Sequence, residues 1–315
     1  MKNVAEKKKV HQVELALGTV QFGMDYGVVG RGEVFPIKEV RQILERAFEL
    51  GIDLIDTAPA YGQIETKLAA LLDGYKFKVV SKIPAIPGGM DWKAAANFVS
   101  KSILQTRERL GGCLTTLLFH CSDDLLGDRG EAIWQAATKA VSGKNIRLGV
   151  SCYSPDELFE LRHRFSIEIA QLPGNALDQR LRTCTDDLDE VEIHLRSIFL
   201  QGTLLNDPEK AAGKLPRQLV DALYIWQAWC KNQDISIMQG ALSLAKRLPG
   251  VRYCVVGVDN LAQLETIHEA WLNTKTLAAY PPSTNNLEVI DPRYWFNQHV
   301  KSDSEGVVFS GQDQG

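Results

Sequence analysis

Residues 52–65 read Ile52-Asp53-Leu54-Ile55-Asp56-Thr57-Ala58-Pro59-Ala60-Tyr61-Gly62-Gln63-Ile64-Glu65. The segment opens as a short apolar run, as a buried strand does, and stops at an acid, two small residues and a proline. From Gln63 to Leu72 the apolar residues Ile64, Leu68, Leu71 and Leu72 recur at helical spacing. Asp56 and Tyr61 therefore stand where a strand gives way to a loop before a helix. In a barrel of alternating strands and helices, that junction faces the end where chemistry is placed.

The same alternation extends in both directions. Predicted strands are Glu14–Thr19, Ile52–Asp56, Phe77–Lys82, Thr115–His120, Ile146–Ser151, Ile167–Gln171, Leu195–Leu200 and Arg252–Gly257. Between them fall amphipathic helical patterns at Ile37–Leu50, Gln63–Leu72, Trp92–Leu110, Gly130–Val141, Pro155–Arg164, Cys184–His194, Arg217–Lys231, Ile235–Leu248 and Leu261–Trp271. Ser154 and Pro155 are suited to the cap and first position of their helix. Eight such alternations without a composition break predict a single-domain α/β (β/α)8 TIM barrel over residues 14–300. Residues 1–13 are expected to be flexible and residues 301–315 a loose tail. A doubly wound open sheet is the alternative, but no GxGxxG opens a helix.

The chain has 315 residues, 45% hydrophobic and 23% charged, with a formal charge of −4. These are ordinary globular values, and the charge gives no reason to expect nucleic acid or an anionic membrane as partner. The six cysteines show no CxxC and no ligand spacing, so reduced thiols in a cytoplasmic protein are expected and no metal site is. The start, MKNVAEKKKV, lacks the apolar run of a secretory signal, and no stretch has the ~18 apolar residues of a membrane span.

Asp56 and Tyr61 follow the second predicted strand, Lys82 ends the third and His120 ends the fourth. Singly, each has a structural reading: a cap, a rim aromatic, a lysine reaching for water, a core histidine. Together they do not, because nothing structural gathers ionisable groups on one rim of three neighbouring strands.

The run Asp56-Thr57-Ala58-x-x-Tyr61-Gly62-x-x-Glu65, with Ser81-Lys82, His120 and Gly149-Val150-Ser151, resembles the aldo-keto reductase superfamily. The resemblance runs in order from about Leu17 to about Leu264. It implies a catalytic tetrad of Asp56, Tyr61, Lys82 and His120, and an NADP or NAD cofactor across the barrel mouth. By the same resemblance Gly18 and Thr19 flank the nicotinamide ribose, Ser151 and Gln171 hold the carboxamide, and Leu200 and Gln201 lie near the pyrophosphate. Gly257, Asp259 and Gln263 match the adenosine end. The chain departs from the family at Cys152, where Asn is usual and Asn175 is the candidate substitute. It departs again at Ser197, where a stacking aromatic is usual, leaving Phe199 as either the stacking ring or barrel core.

The chemistry of these residue types agrees with such roles. A tyrosine with an ordinary pKa near ~10 holds a proton it can donate, and an adjacent ammonium stabilises its anion. Asp259, in place of a basic residue, suggests tolerance of NAD, because an acid near the adenosine ribose repels a 2′-phosphate.

The expected reaction is reduction of an aldehyde, ketone or sugar carbonyl. An aldose dehydrogenase and a dinucleotide-binding regulatory barrel remain as alternatives. Loops 21–35, 121–128 and 291–296 are candidate substrate walls, with Asp25, Asp123 and Asp124 for hydroxyls and Tyr26, Trp295 and Phe296 for stacking. The segments 171–178 and 196–202 resemble a bacterial branch of the superfamily linked to sugar and surface-polysaccharide metabolism.

Overall fold

The strands are short because each needs only enough residues to cross a barrel wall. They are β1 (Glu14–Gly18), β2 (Leu54–Asp56), β3 (Lys78–Ile83), β4 (Leu114–Phe119), β5 (Arg147–Ser151), β6 (Ile169–Pro173), β7 (Glu192–Arg196) and β8 (Val251–Val256). In this computed structural model, which describes residues 12–27, 33–184, 188, 190–274, 277 and 279–295, they form a closed parallel barrel in sequence order. The predicted (β/α)8 barrel is the fold.

Helices between the strands bury their predicted faces. Ile37–Glu49 buries Val40, Ile43, Leu44 and Ala47, and Trp92–Leu110 buries Ala95, Val99 and Ile103. The helix Pro155–Arg162 starts as predicted: the Glu157 amide donates to Ser154 Oγ at 3.3 Å, with Pro155 in the first turn. Among the described residues no helix is long and apolar enough to cross a membrane.

Side chains two residues apart on a strand share a face, and this sets up two rings inside the barrel. Ala16, Leu54, Val80, Leu118, Ile169 and Tyr253 form a separate apolar cluster in the lower ring. Two residues further along the same six segments stand Gly18, Asp56, Lys82, His120, Gln171 and Val255. Ser151 on β5 and Arg196 on β7 complete the upper ring at the strands' carboxyl ends.

The sequence misplaces the region around β7. The predicted helix Cys184–His194 and strand Leu195–Leu200 are replaced by a 3₁₀ turn at Arg180–Thr183 and a strand at Glu192–Arg196. Residues 185–187 and 189 lie outside the described set. The strand ends early because Ser197 turns left-handed at φ 61°. His194 is fully buried within it, edge-on to Tyr253 at 5.1 Å between ring centroids. Val20–Gly23, expected to be largely loop, is one helical turn. The predicted tails at 1–11 and 301–315, with Gly30, Gly32 and Phe296, lie outside the described residues.

At the other end of β7, Glu192 accepts from His194 Nε2 at 2.8 Å and from both Arg147 terminal nitrogens at 3.0 Å. Burial works to raise the Glu192 pKa, but these partners hold it down at about 2. A depressed carboxylate adds stability that is present above its unfolded pKa of ~4.3 and lost as pH falls. Wild type should therefore exceed Glu192→Gln by up to about 3 kcal/mol near neutrality, the gap closing between about pH 4.5 and 2. Urea unfolding of both proteins across that range checks it.

Candidate active site

The first and second strands are tied together at the mouth: the Thr19 amide and hydroxyl both donate to the Asp56 carbonyl, at 3.0 and 3.1 Å. Beneath that tie lies Lys82, 1% exposed. Its Nζ donates to Asp56 Oδ1 at 2.7 Å and to the Thr57 carbonyl at 2.9 Å. Burial pushes the lysine pKa down, and the Asp56 carboxylate opposes that shift. Asp56 Oδ1 also accepts from Gln171 Nε2 at 2.8 Å. A second carboxylate supports the pair from behind: Glu65, buried at its helix start, accepts from Ser81 Oγ and from Arg109 Nε at 2.6 Å.

The Tyr61 ring stands over this pair, its centroid 5.5 Å from Lys82 Nζ. Two glycines place it. Gly62 turns left-handed at φ 61°, and a Cβ there would overlap the Gly23 carbonyl. A Cβ on Gly23 would overlap the Tyr61 carbonyl in turn. Only mutual glycines allow so close an approach of the β1 and β2 loops. Burial, and then the Asp56 charge, push the Tyr61 pKa well above the ordinary phenol value, while Arg196 pulls it back. His120 meets the Tyr61 ring edge-on, 6.2 Å between centroids, and its amide extends the ladder to the Ile83 carbonyl at 3.0 Å.

These groups open into one cavity of about 400 Å³, in the usual range for a ligand site. Asp56, Tyr61 and His120 line it, and Lys82 lies just below. Of the predicted cofactor residues, Gly18, Thr19, Ser151, Gln171, Phe199, Gln201, Gly257, Asp259 and Gln263 also line it. Leu200 is fully buried and does not. Phe199 is both cavity wall and core. Asn175, the candidate substitute for Cys152, is fully buried and is not among the lining residues; its Oδ1 accepts from the amides of Leu177 and Asp178, and its Nδ2 has no partner. At the far end Asn260 caps the helix Leu261–Asn273, accepting from the Gln263 amide at 2.8 Å.

Most candidate substrate walls fall away. Of Asp25, Tyr26, Asp123, Asp124 and Trp295, only Tyr26 lines the cavity. Asp124 accepts from the Ile86 amide at 2.9 Å, and Trp295 is buried in the core at 5% exposure. Three polar lining residues, Tyr153, Arg196 and Asn206, escaped the sequence reading, and Gln21 entered it only as one end of a candidate loop. Arg196 was recoverable. Had β7 been read as ending there, Arg196 would have joined Asp56, Lys82 and His120 as a polar residue at a strand's carboxyl end.

A model of the Aldo/keto reductase family matches residues 14–280. The chain is 25% identical over 297 residues to D-threo-aldose 1-dehydrogenase of Pseudomonas sp, covering 79% of this chain and 89% of that protein. It is 25% identical over 299 residues to L-glyceraldehyde 3-phosphate reductase of Escherichia coli O157:H7, covering 82% and 85%. Among solved structures it resembles an aldo-keto reductase of Bacillus halodurans in its holo form, with a TM-score of 0.64. That pair shares 19% identity, over 85% of this chain and 89% of the other.

Burial and the nearby Lys82 charge push the His120 ring down to about 4. NMR of the ring should give a midpoint near that value rather than the ordinary ~6.5. Between those two pH values the unfolded chain takes up a proton that the folded site refuses, so stability should fall as pH drops through the window. His120→Asn should flatten that part of the stability profile.

Proposed function

The chain belongs to the Aldo/keto reductase family, and from that premise we propose an NAD(P)H-dependent oxidoreductase that reduces a sugar-type carbonyl to its alcohol. One observation carries the reading. A buried ammonium, locked at 2.7 Å to a buried carboxylate, lies under a protonated phenol that an imidazole edge also meets.

The course of the cavity supports an extended dinucleotide as its ligand. It runs from the Asp56–Tyr61–His120 cluster to Gly257 and Gln263. On its wall Gln21 Oε1 is buried without a hydrogen-bond partner, an acceptor suited to a ribose hydroxyl or an amide. Any Cβ on Gly257 would displace that Gln21 side chain. Gly18, Thr19, Ser151, Gln171, Phe199, Gln201, Gly257, Asp259 and Gln263 are the residues assigned to hold it. When bound, the reduced nicotinamide supplies the hydride.

The chain's own residues handle the oxygen. Tyr61 Oη gives its proton to the oxygen of the carbonyl being reduced. Lys82 steadies the phenolate left behind, and Asp56 with the Thr57 carbonyl keeps the ammonium charged and aimed. His120, neutral above about pH 4, donates an N–H to the same oxygen and fixes its position. Relatives named for an aldose and for glyceraldehyde 3-phosphate support a polyhydroxylated aldehyde. The reverse reaction, oxidation of an aldose, uses the same groups with the proton moving back to Tyr61.

At the adenosine end the lining residues Gly257, Asp259 and Gln263 include an acid and no lysine or arginine. That arrangement favours a free 2′-hydroxyl over a 2′-phosphate.

Two measurements test these assignments. Tyr61→Phe should lower kcat at least ~10²-fold, the scale of a lost general acid, with cofactor affinity by fluorescence titration nearly unchanged. Retained turnover would remove the proton-donor role, and wild-type binding without turnover on any carbonyl would point to a regulatory barrel. The ratio of kcat/KM for NADH over NADPH should exceed one in wild type and fall in Asp259→Arg. A strong wild-type preference for NADPH overturns the adenosine-end assignment.

A further inference from the structure

Three arginines converge on Tyr153 beside the mouth. The guanidinium carbons of Arg293 and Arg196 lie 3.4 and 4.7 Å from its ring centroid, and Arg180 Nη2 donates to its carbonyl at 2.9 Å. Two of the three have a carboxylate of their own. Arg180 is paired with Asp178 at 2.7 Å and Arg293 with Asp291 at 2.6 Å. Arg196 has none: among the described residues no carboxylate lies within ion-pair distance of it. Its hydrogen bonds go to the Cys152 carbonyl from Nη2 at 3.0 Å and to Ser197 Oγ from Nη1 at 3.5 Å. A guanidinium carries five N–H donors, so three remain for whatever enters the cavity that Arg196 lines.

The charges of the cavity lining sharpen the point. Near the reacting end Asp56 is matched by Lys82, which leaves the Arg196 charge uncompensated. Glu157, in the first turn of the helix that follows Tyr153, is engaged by the Ser122 hydroxyl at 2.7 Å and the Tyr153 amide at 2.9 Å. The field of Arg196 reaches Tyr61, Lys82 and His120, so the cation belongs to the end where the carbonyl is held. A half-buried guanidinium with free donors beside an aromatic face is built for a planar or tetrahedral anion, which it takes in bidentate fashion. Sequence alone gave this position no role.

We infer that Arg196, backed by Tyr153, binds an anionic substituent on the substrate, a phosphate or a carboxylate, and so selects charged over neutral sugars. The inference rests on the carbonyl-reductase reading for its turnover test but not for its binding test. The same donors could instead serve the pyrophosphate of the cofactor, and the two sources are separable.

Turnover of glyceraldehyde 3-phosphate and of glyceraldehyde is compared at matched cofactor. Wild type should prefer the phosphorylated aldehyde by tenfold or more in kcat/KM, mainly through KM. Arg196→Gln should lower that ratio by at least tenfold, and Arg196→Lys should restore part of it, since the charge survives without the fork. No wild-type preference, or an equal loss on both aldehydes in Arg196→Gln, overturns the inference while leaving the reductase reading intact. Calorimetric binding of glycerol 3-phosphate against glycerol gives the readout that needs no turnover. Phosphate-dependent binding that vanishes in Arg196→Gln supports the subsite even if neither aldehyde is reduced, an outcome that would sink only the reductase reading. Absent binding, or an Arg196→Gln loss as large for ADP-ribose as for glycerol 3-phosphate, overturns it by assigning the charge elsewhere.

Discussion

The site depends on one buried ion pair. An ammonium 1% exposed inside a barrel is costly to hold unless it is matched, because charge is poorly solvated there. Two of the three ammonium donors are matched, by Asp56 at 2.7 Å and the Thr57 carbonyl at 2.9 Å, and Asp56 itself is secured by Gln171 at 2.8 Å. Removing either partner would strand the other, which is the situation in which buried charges become destabilising by several kcal/mol. The same pair that tunes the phenol above it is thus also a structural commitment, and β2, β3 and β6 must end at one level to make it.

That level is set by the pleat. A lower ring of Ala16, Leu54, Val80, Leu118, Ile169 and Tyr253 is apolar, and one pleat repeat higher the ring turns polar. The apolar ring keeps water from the underside, so the electrostatic interactions above it act through a medium less polarisable than water. Glu65 and Arg109 extend the polar support outward to the helix layer through Ser81, the neighbour of Lys82. Gly23 and Gly62 bring the two loops close enough for Tyr61 to sit on the pair.

Much of this was legible in the chain. The two-residue repeat of Leu54 to Asp56, Val80 to Lys82 and Leu118 to His120 puts each polar residue at a strand's end, and the apolar runs before them are unmistakable. The β7 region was not legible, because His194 and Arg196 alternate with Ile193 and Leu195 and so interrupt the apolar signal of a buried strand. His194 stands level with Tyr253 across the β7–β8 ladder, where the other strands carry apolar residues or glycine. The sequence gives no sign that Glu192 and Tyr253 would receive His194. Nor could sequence show that Trp295 and Asp124 are spent on packing and backbone, since loop residues reveal their partners only in three dimensions.

The displaced strand matters because of what its last residue does to the acid. Burial and the Asp56 charge both oppose ionisation of Tyr61, and Lys82 is matched by its carboxylate rather than free to counter them fully. The charge that pulls the phenol back is Arg196, the one arginine or lysine among the described lining residues. An anion drawn to Arg196 would weaken that pull, returning Tyr61 to a more basic and more firmly protonated state as the ligand arrives. Under the proposed role of Tyr61 as proton donor, that coupling would keep the proton on the phenol while the ligand arrives. It makes recognition and acid strength two consequences of a single guanidinium at the end of β7.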